Sequence, residues 1–153
     1  MLLPYSRNSS FGFPGVVLKK SEIGYSIASY PPKPLKFNYP RRILNDMKID
    51  RVMNVSDGTC VTLYYFNDKW NISTYRGYYV NEFTINEKTY QQLLDESLET
   101  PIYGSLDKDK CYTLGFKHTD MHPFDHPGGN SVWFIRSYDT KTNEMQYTCD
   151  ILP

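Results

Sequence analysis

Between residues 59 and 74 the chain alternates apolar and polar side chains on either side of a short polar break. In "TCVTLYYF", Val61, Leu63 and Tyr65 share one parity, and Thr62, Tyr64 and Phe66 share the other. After Asn67 and Asp68, period two resumes with Trp70, Ile72 and Thr74. Successive side chains of a strand point to opposite faces, so this pattern predicts two strands joined by a tight turn. "GVVLKK" (15–20) and "GYSIASY" (24–30) predict a second strand pair around "SEIG". "CYTLGFK" (111–117) predicts a further strand. "SVWFIRSYD" and "MQYTCDIL", flanking "TKTNE", predict a closing hairpin.

A different period governs residues 84–99, "TINEKTYQQLLDESLE". Tyr90, Leu93, Leu94 and Leu98 fall on one face of a helix. Thr84 and Glu87 fit a capping box, in which each side chain satisfies a free amide of the first turn, so the helix is predicted to begin there. "RRILNDMKI" (41–49) predicts a short helix with Ile43, Leu44 and Met47 on one face. "PPKPLKFNYP" (31–40) carries four prolines, which lack the amide that a central strand or helix interior needs; it predicts an extended surface segment. Residues 1–14 read as an irregular arm and 118–129, "HTDMHPFDHPGG", as a loop. The sum is a single α+β domain over 15–153, built mainly of antiparallel sheet with one clear helix.

Composition supports that picture and narrows the function. Tyrosine occurs 14 times and aromatics make up 16% of the chain, which favours pleated, half-buried surfaces. The chain has 153 residues, enough for one core. Lys plus Arg equals Asp plus Glu at 17 each, which argues against a generic nucleic-acid sponge but leaves room for a local basic patch. No stretch reads as a signal peptide or a membrane span. Cys60, Cys111 and Cys149 are widely spaced and odd in number, which predicts reduced thiols and an intracellular, cytoplasmic setting. The wealth of Tyr, Asn and Lys suits an AT-rich genome such as that of a large DNA virus.

The motifs come in a suggestive order. "PLKFN" places Lys36, Phe37 and Asn38 after "IASY"; Val55-Ser56-Asp57-Gly58-Thr59 opens a hairpin; Tyr75-Arg76-Gly77 follows it; a helix comes next; then "TLGFKH" and "NSVWF", the latter beginning at Asn130. This order resembles the adenylyltransferase domain of phage-type RNA ligases of the tRNA-repair kind, a nucleotidyltransferase-fold family, over roughly residues 15–150. That family has a Lys-Phe-Phe-Asn-like string, Lys-x-Asp-Gly-Ser, Lys-Gly or Arg-Gly, a Phe-Glu strand and an Asn-Arg-Ile-Val strand.

The departures bear on chemistry. The family's nucleophile is a lysine that carries AMP, and covalent transfer needs an amine that can be deprotonated and held in line. Here the position is Val55. Lys117 stands where the family has glutamate. The family's later Glu-Gly-x-Val and Lys-x-Lys motifs have no counterpart within residues 1–153. The resemblance therefore implies a non-catalytic module, a pseudoenzyme, that binds a nucleotide or an RNA end. Its implied contacts are Lys36, Phe37, Asn38, Asp57, Gly58, Arg76 and Lys117. ATP or GTP is the implied ligand class, with no resident cofactor and no divalent ion.

Two other classes remain open. An assembly subunit with a closed ancestral pocket would meet a protein partner. A metal-dependent enzyme would use the loop with His118, His122 and His126, whose imidazoles, with Asp120 and Asp125, are suitable donors. Pro123 and Pro127 forbid the helical presentation that spacing of four would exploit, so no metal is expected there. Lys33, Lys36, Arg41 and Arg42, interleaved with Phe37 and Tyr39, read either as a phosphate- and base-contacting stretch or as a solvated one. Trp70 and Trp133 read as core. No Gly-x-Ser-x-Gly elbow, P-loop or Rossmann fingerprint occurs.

Overall fold

A computed structural model describes residues 2–4, 17–21, 24–29, 57–74, 83–121 and 128–151. The predicted helix at 41–49, the proline-rich segment and the Val55 and Arg76 positions lie outside them.

Among the described residues, the centre is a five-stranded antiparallel sheet. Its strands are β4 (Thr59–Phe66), β5 (Lys69–Ser73), β8 (Lys110–Lys117), β9 (Ser131–Asp139) and β10 (Met145–Gln146), in the spatial order β10-β9-β8-β4-β5. Within the 1–14 stretch that the sequence marks as irregular, Leu2–Pro4 forms a strand, β1. It pairs with β2 (Val17–Ser21), which pairs with β3 (Gly24–Ser29), all antiparallel. Among the described residues this is mostly antiparallel sheet with a single α-helix, α1 (Tyr90–Ser97).

The predicted β4–β5 hairpin is present, with Phe66 opposite Lys69. Asn67 and Asp68 take φ of 52° and 58°, the left-handed pair that lets a two-residue turn follow the strands' own twist. The closing hairpin also forms, but its second strand is only Met145–Gln146. Asp139 accepts the amides of Lys141 and Thr142 and shapes that turn, and these bonds hold its carboxyl below the usual range.

The helix begins later than Thr84 and Glu87 predict. Thr84–Ile85 (β6) and Lys88–Thr89 (β7) form a small hairpin, with Asn86 and Glu87 turning it at φ of 49° and 66°. A residue at positive φ cannot sit in a first helical turn. The capping box is Thr89 with Gln92: the Gln92 amide donates to Thr89 Oγ1 at 3.2 Å, and the Thr89 amide to Gln92 Oε1 at 2.8 Å. The predicted apolar stripe survives the shift, with Leu93 and Leu94 fully buried.

These two residues seal one face of the central sheet. Val61, Leu63, Ile72, Tyr112, Leu114 and Phe116 meet Leu93, Leu94, Ile102 and Leu106 in the main core. Among the described residues, the opposite face meets the small sheet through Val17, Ala28, Tyr64, Cys111 and Tyr138. Trp70 belongs to the main core, as predicted: it makes edge contacts with Tyr65 and Tyr112 and donates Nε1–H to the Tyr103 carbonyl.

Candidate functional site

Residues paired across a ladder share a face, so the register sorts the side chains. Thr62 pairs with Thr113 and with Ser73, Cys60 with Gly115, Gly115 with Trp133, Thr113 with Arg136, and Lys117 with Ser131. All of these lie on the face away from α1. Thr62 and Thr113 are buried and their hydroxyls meet at 3.3 Å; Ser73 donates to the Thr62 carbonyl at 3.4 Å. This face therefore has a polar floor where the other has an apolar one.

A bulge decides who stands on it. Opposite Thr113 and Leu114, strand β9 offers Arg136 and Phe134, leaving Ile135 as the extra residue. An inserted residue resets the alternation. Trp133 and Arg136 are three apart, and in a regular strand would face opposite ways; the bulge brings both to the polar face. The sequence analysis does not single out Arg136; the one signal for it is a cation within the apolar run "VWFIR", and plain alternation would place it opposite Trp133.

The strand position of Trp133 predicts a core place for it. It is half-buried and, among the described residues, belongs to neither apolar cluster. Its indole occupies the space above two glycines. A Cβ built on Gly115 would lie 2.2 Å from Trp133 Cε2 and 2.4 Å from Nε1; one on Gly58 would lie 2.5 Å from Cη2 and 2.7 Å from the Phe116 carbonyl oxygen. The ring thus runs from β9 across β8 to the mouth of β4.

Of the residues implied by the resemblance, Asp57 and Gly58 are exposed at that mouth. Thr59 pairs with Phe116, so the same register carried one step further sets Gly58 beside Lys117. Gly58 and Lys117 are therefore neighbours on this face, Trp133 lies over Gly58, and Asp57 is one residue before it at the exposed mouth. Because β4 and β8 are hydrogen-bonded neighbours, the candidate site is a sheet face and not a cleft between these strands. Lys36, Phe37, Asn38 and Arg76 lie outside the described residues. Asn130, which aligns with the family asparagine, is exposed and accepts the Thr119 amide at 3.0 Å. Cys60, exposed by area, shares the face. Crowding around its sulfur pushes the thiol up, and the Arg136 charge opposes that.

His118 goes the other way, towards α1, while His122 and His126 lie outside the described residues. It is buried and its Nε2 lies 2.9 Å from Glu96 Oε2. Its Nδ1 accepts the Asp120 amide at 3.1 Å, which leaves Nε2 as the protonated, donating nitrogen. Glu96, His118 and Asp120 have ligand atoms within 4.8 Å of one another, a spacing that suits a metal. Lys88 already fills the cation's place: its ammonium is 2.8 Å from Glu96 and 2.9 Å from Asp120. Those bonds raise Lys88 and hold both carboxyls below their usual range. A metal would have to displace the ammonium and reverse the His118 tautomer. The cluster instead clasps the β6–β7 hairpin, α1 and the end of β8. Asn86 adds a bond to the Asp120 carbonyl, and Ser97 one to that of Lys117.

Comparison with known proteins gives one consistent set of relatives. An African swine fever virus protein (isolate Pig/Kenya/KEN-50/1950) called "Putative RNA-ligase" is 29% identical over 118 residues, covering 62% of this chain and 26% of its own length. Its namesakes from isolates Tick/South Africa/Pretoriuskop Pr4/1996 and Tick/Malawi/Lil 20-1/1983 are 28% and 27% identical over 119 and 114 residues. They are covered to 26% and 25% of their length, with 63% and 60% of this chain matched. The chain thus spans about a quarter of the length of the curated relatives it matches. It has an RNA ligase-like relationship to these viral proteins. No family model and no solved structure matches it. No described helix is long and apolar enough to cross a membrane.

Proposed function

We propose that this chain is an RNA ligase-like, nucleotidyltransferase-fold module from a large DNA virus that holds a nucleotide or an RNA end without itself forming the covalent nucleotide adduct. The observation that carries this reading is Trp133 lying over Gly58 and Gly115 with Lys117 on the same sheet face, and Arg136 further along it. Lys117 offers a charge-assisted bond to phosphate, and an aromatic ring lies beside it. Lys117 in place of a carboxylate removes a repulsive charge from such a site. Val55 in place of the nucleophilic lysine leaves no amine at that position to attack an α-phosphate. Lys36, Phe37, Asn38 and Arg76 are further contacts of the same ligand in this reading. No metal or other cofactor is part of it, since the Lys88 ammonium occupies the cation's place in the one His–carboxylate cluster among the described residues.

The test is incubation with α-labelled ATP or GTP and magnesium, followed by a denaturing gel, alongside equilibrium binding of the same nucleotides. The expected result is binding with no label surviving denaturation. Val55→Lys alone should not create a labelled band, because Lys117 still stands where the family has its glutamate. A denaturation-resistant adduct on the unaltered chain would overturn the non-catalytic part. Absence of binding to nucleotide and RNA ends alike would move the weight to a protein partner.

A further inference from the structure

The last turn of α1 carries two carboxylates side by side, and their surroundings differ in kind. Glu96 meets the Lys88 ammonium at 2.8 Å and His118 at 2.9 Å. Asp95 forms no ion pair among the described residues. Two neutral side chains hold it instead. Gln91, one turn earlier, donates Nε2–H to Asp95 Oδ1 at 3.1 Å, and the Tyr103 hydroxyl donates to the same oxygen. Gln91 Nε2 also donates to the Tyr103 hydroxyl oxygen, which closes a ring of three side chains. Burial pushes the Tyr103 phenol well up, and the Asp95 bond adds to that, so the hydroxyl stays protonated and donating.

The place of Asp95 is costly in itself. Carbonyls at a helix C-terminus carry partial negative charge, which favours a cation there and disfavours a carboxylate. The last turn of α1 has no basic residue. A solvated surface aspartate needs no orienting partners. One that is fixed by two of them, with its charge uncompensated, is preorganised for a cation from outside.

The space beside the carboxylate fits the rest of such a ligand. Asp95 and Tyr103 line a hollow of about 360 Å³ with Leu98 and Pro101. Tyr103 is held in place by its carbonyl, which accepts Trp70 Nε1–H, and by Ile102 beside it, buried in the main core. The ligand needs one positive charge at the Asp95 end and an apolar stem against Leu98 and Pro101. A lysine side chain has both, a compact ammonium on a four-carbon stem. Arginine fits less well, because its fork pairs with two open carboxylate oxygens and Oδ1 already accepts two bonds. An ion pair at an exposed rim adds only a few-fold in affinity, which serves an anchor within a larger interface and not capture of a free amine.

We propose that the Asp95–Tyr103 hollow is a docking site for a lysine side chain of a partner polypeptide. It lies on the side of the sheet that α1 covers, away from Trp133 and Lys117, so docking there is independent of nucleotide binding.

NMR signals of the Leu98 methyls and the Tyr103 ring read the site, with Nα-acetyl-lysine methylamide as the probe. The expected result is a saturable shift of both at millimolar concentration. The Nε-acetylated probe, which keeps the stem without the charge, should bind about 5-fold more weakly, the upper range for an exposed ion pair. Asp95 is exposed, so Asp95→Asn leaves the core intact and keeps an acceptor for Tyr103; it should remove the difference between the probes. AMP should not compete with the lysine probe. Equal binding of the two probes by the unaltered chain, or no shift at roughly 50 mM, would overturn the site. Tighter binding of n-butylamine than of the lysine probe would overturn the polypeptide partner in favour of a free amine. Competition by AMP would overturn the independence of the two sites.

Discussion

Gly115 and Trp133 form a pair in which each residue explains the other. The built Cβ at Gly115 falls inside van der Waals contact of three indole atoms, so Gly115→Ala forces the ring to shift or the strands to part. Overpacking of this kind costs about 1–3 kcal/mol, which a urea midpoint would register. Gly104, with open space around its built Cβ, is the control, and Gly104→Ala should leave the midpoint nearly unchanged. Equal effects at the two sites would mean that backbone entropy, and not the indole, explains Gly115. A glycine inside "CYTLGFK" does signal a close approach in the sequence, but nothing local says that the approaching atom is 18 residues away. Asp57, Gly58 and Lys117 were legible as a group because a motif order linked them. Arg136 was not, because one extra residue at Ile135 reverses the parity on which strand reading depends.

Helices and hairpins were legible to the extent that their signals were unique. The turn at Asn67-Asp68 had one reading, and the structure has it. Residues 84–92 contain two overlapping capping patterns, Thr84-x-x-Glu87 and Thr89-x-x-Gln92, and only the backbone at Asn86 and Glu87 selects between them. Thr89→Ala should therefore cost about 1 kcal/mol through loss of the cap, while Thr84→Ala, at an exposed position, should cost a few tenths at most. Comparable losses would put the helix start back in doubt. The clasp next to this cap adds a pH dependence. Lys88 depresses the Glu96 and Asp120 carboxyls, so below their ordinary values of about 4 the unfolded chain binds more protons than the folded one. The pair's contribution is then fully present above pH of about 5 and is lost as pH falls through the depressed folded values. Denaturant midpoints for the unaltered chain and Lys88→Met should differ at pH 6 and converge towards pH 3. A constant gap would show that Lys88 acts through its methylene stem and not its charge.

At the scale of the whole molecule, charge balance makes the site's own cations decisive. With 17 basic and 17 acidic side chains there is no net field to draw in a polyanion, so affinity for RNA has to come from particular contacts. Lys117 and Arg136 share the polar face, and in the proposed reading they supply two. Each phosphate contact to a single strand adds about 0.7 to the slope of log affinity against log salt, so the pair predicts a slope of roughly −1.4. Lys117→Ala should bring it to roughly −0.7 and lower affinity at every salt concentration. A steeper starting slope would count further contacts, and Lys36→Ala and Arg76→Ala would then identify them, since the family resemblance turns both towards the same ligand. In the proposed reading any contact of the ligand with Trp133 is uncharged, so Trp133→Leu should lower affinity while leaving the slope in place. These two behaviours separate a nucleotide site from a merely basic surface: on the latter, removing the indole changes nothing and removing either cation is equivalent. If affinity for a short 5′-phosphorylated RNA is indifferent to salt, to Lys117 and to Trp133, the polar face has another occupant, and an assembly role with a protein partner becomes the better account of the fold.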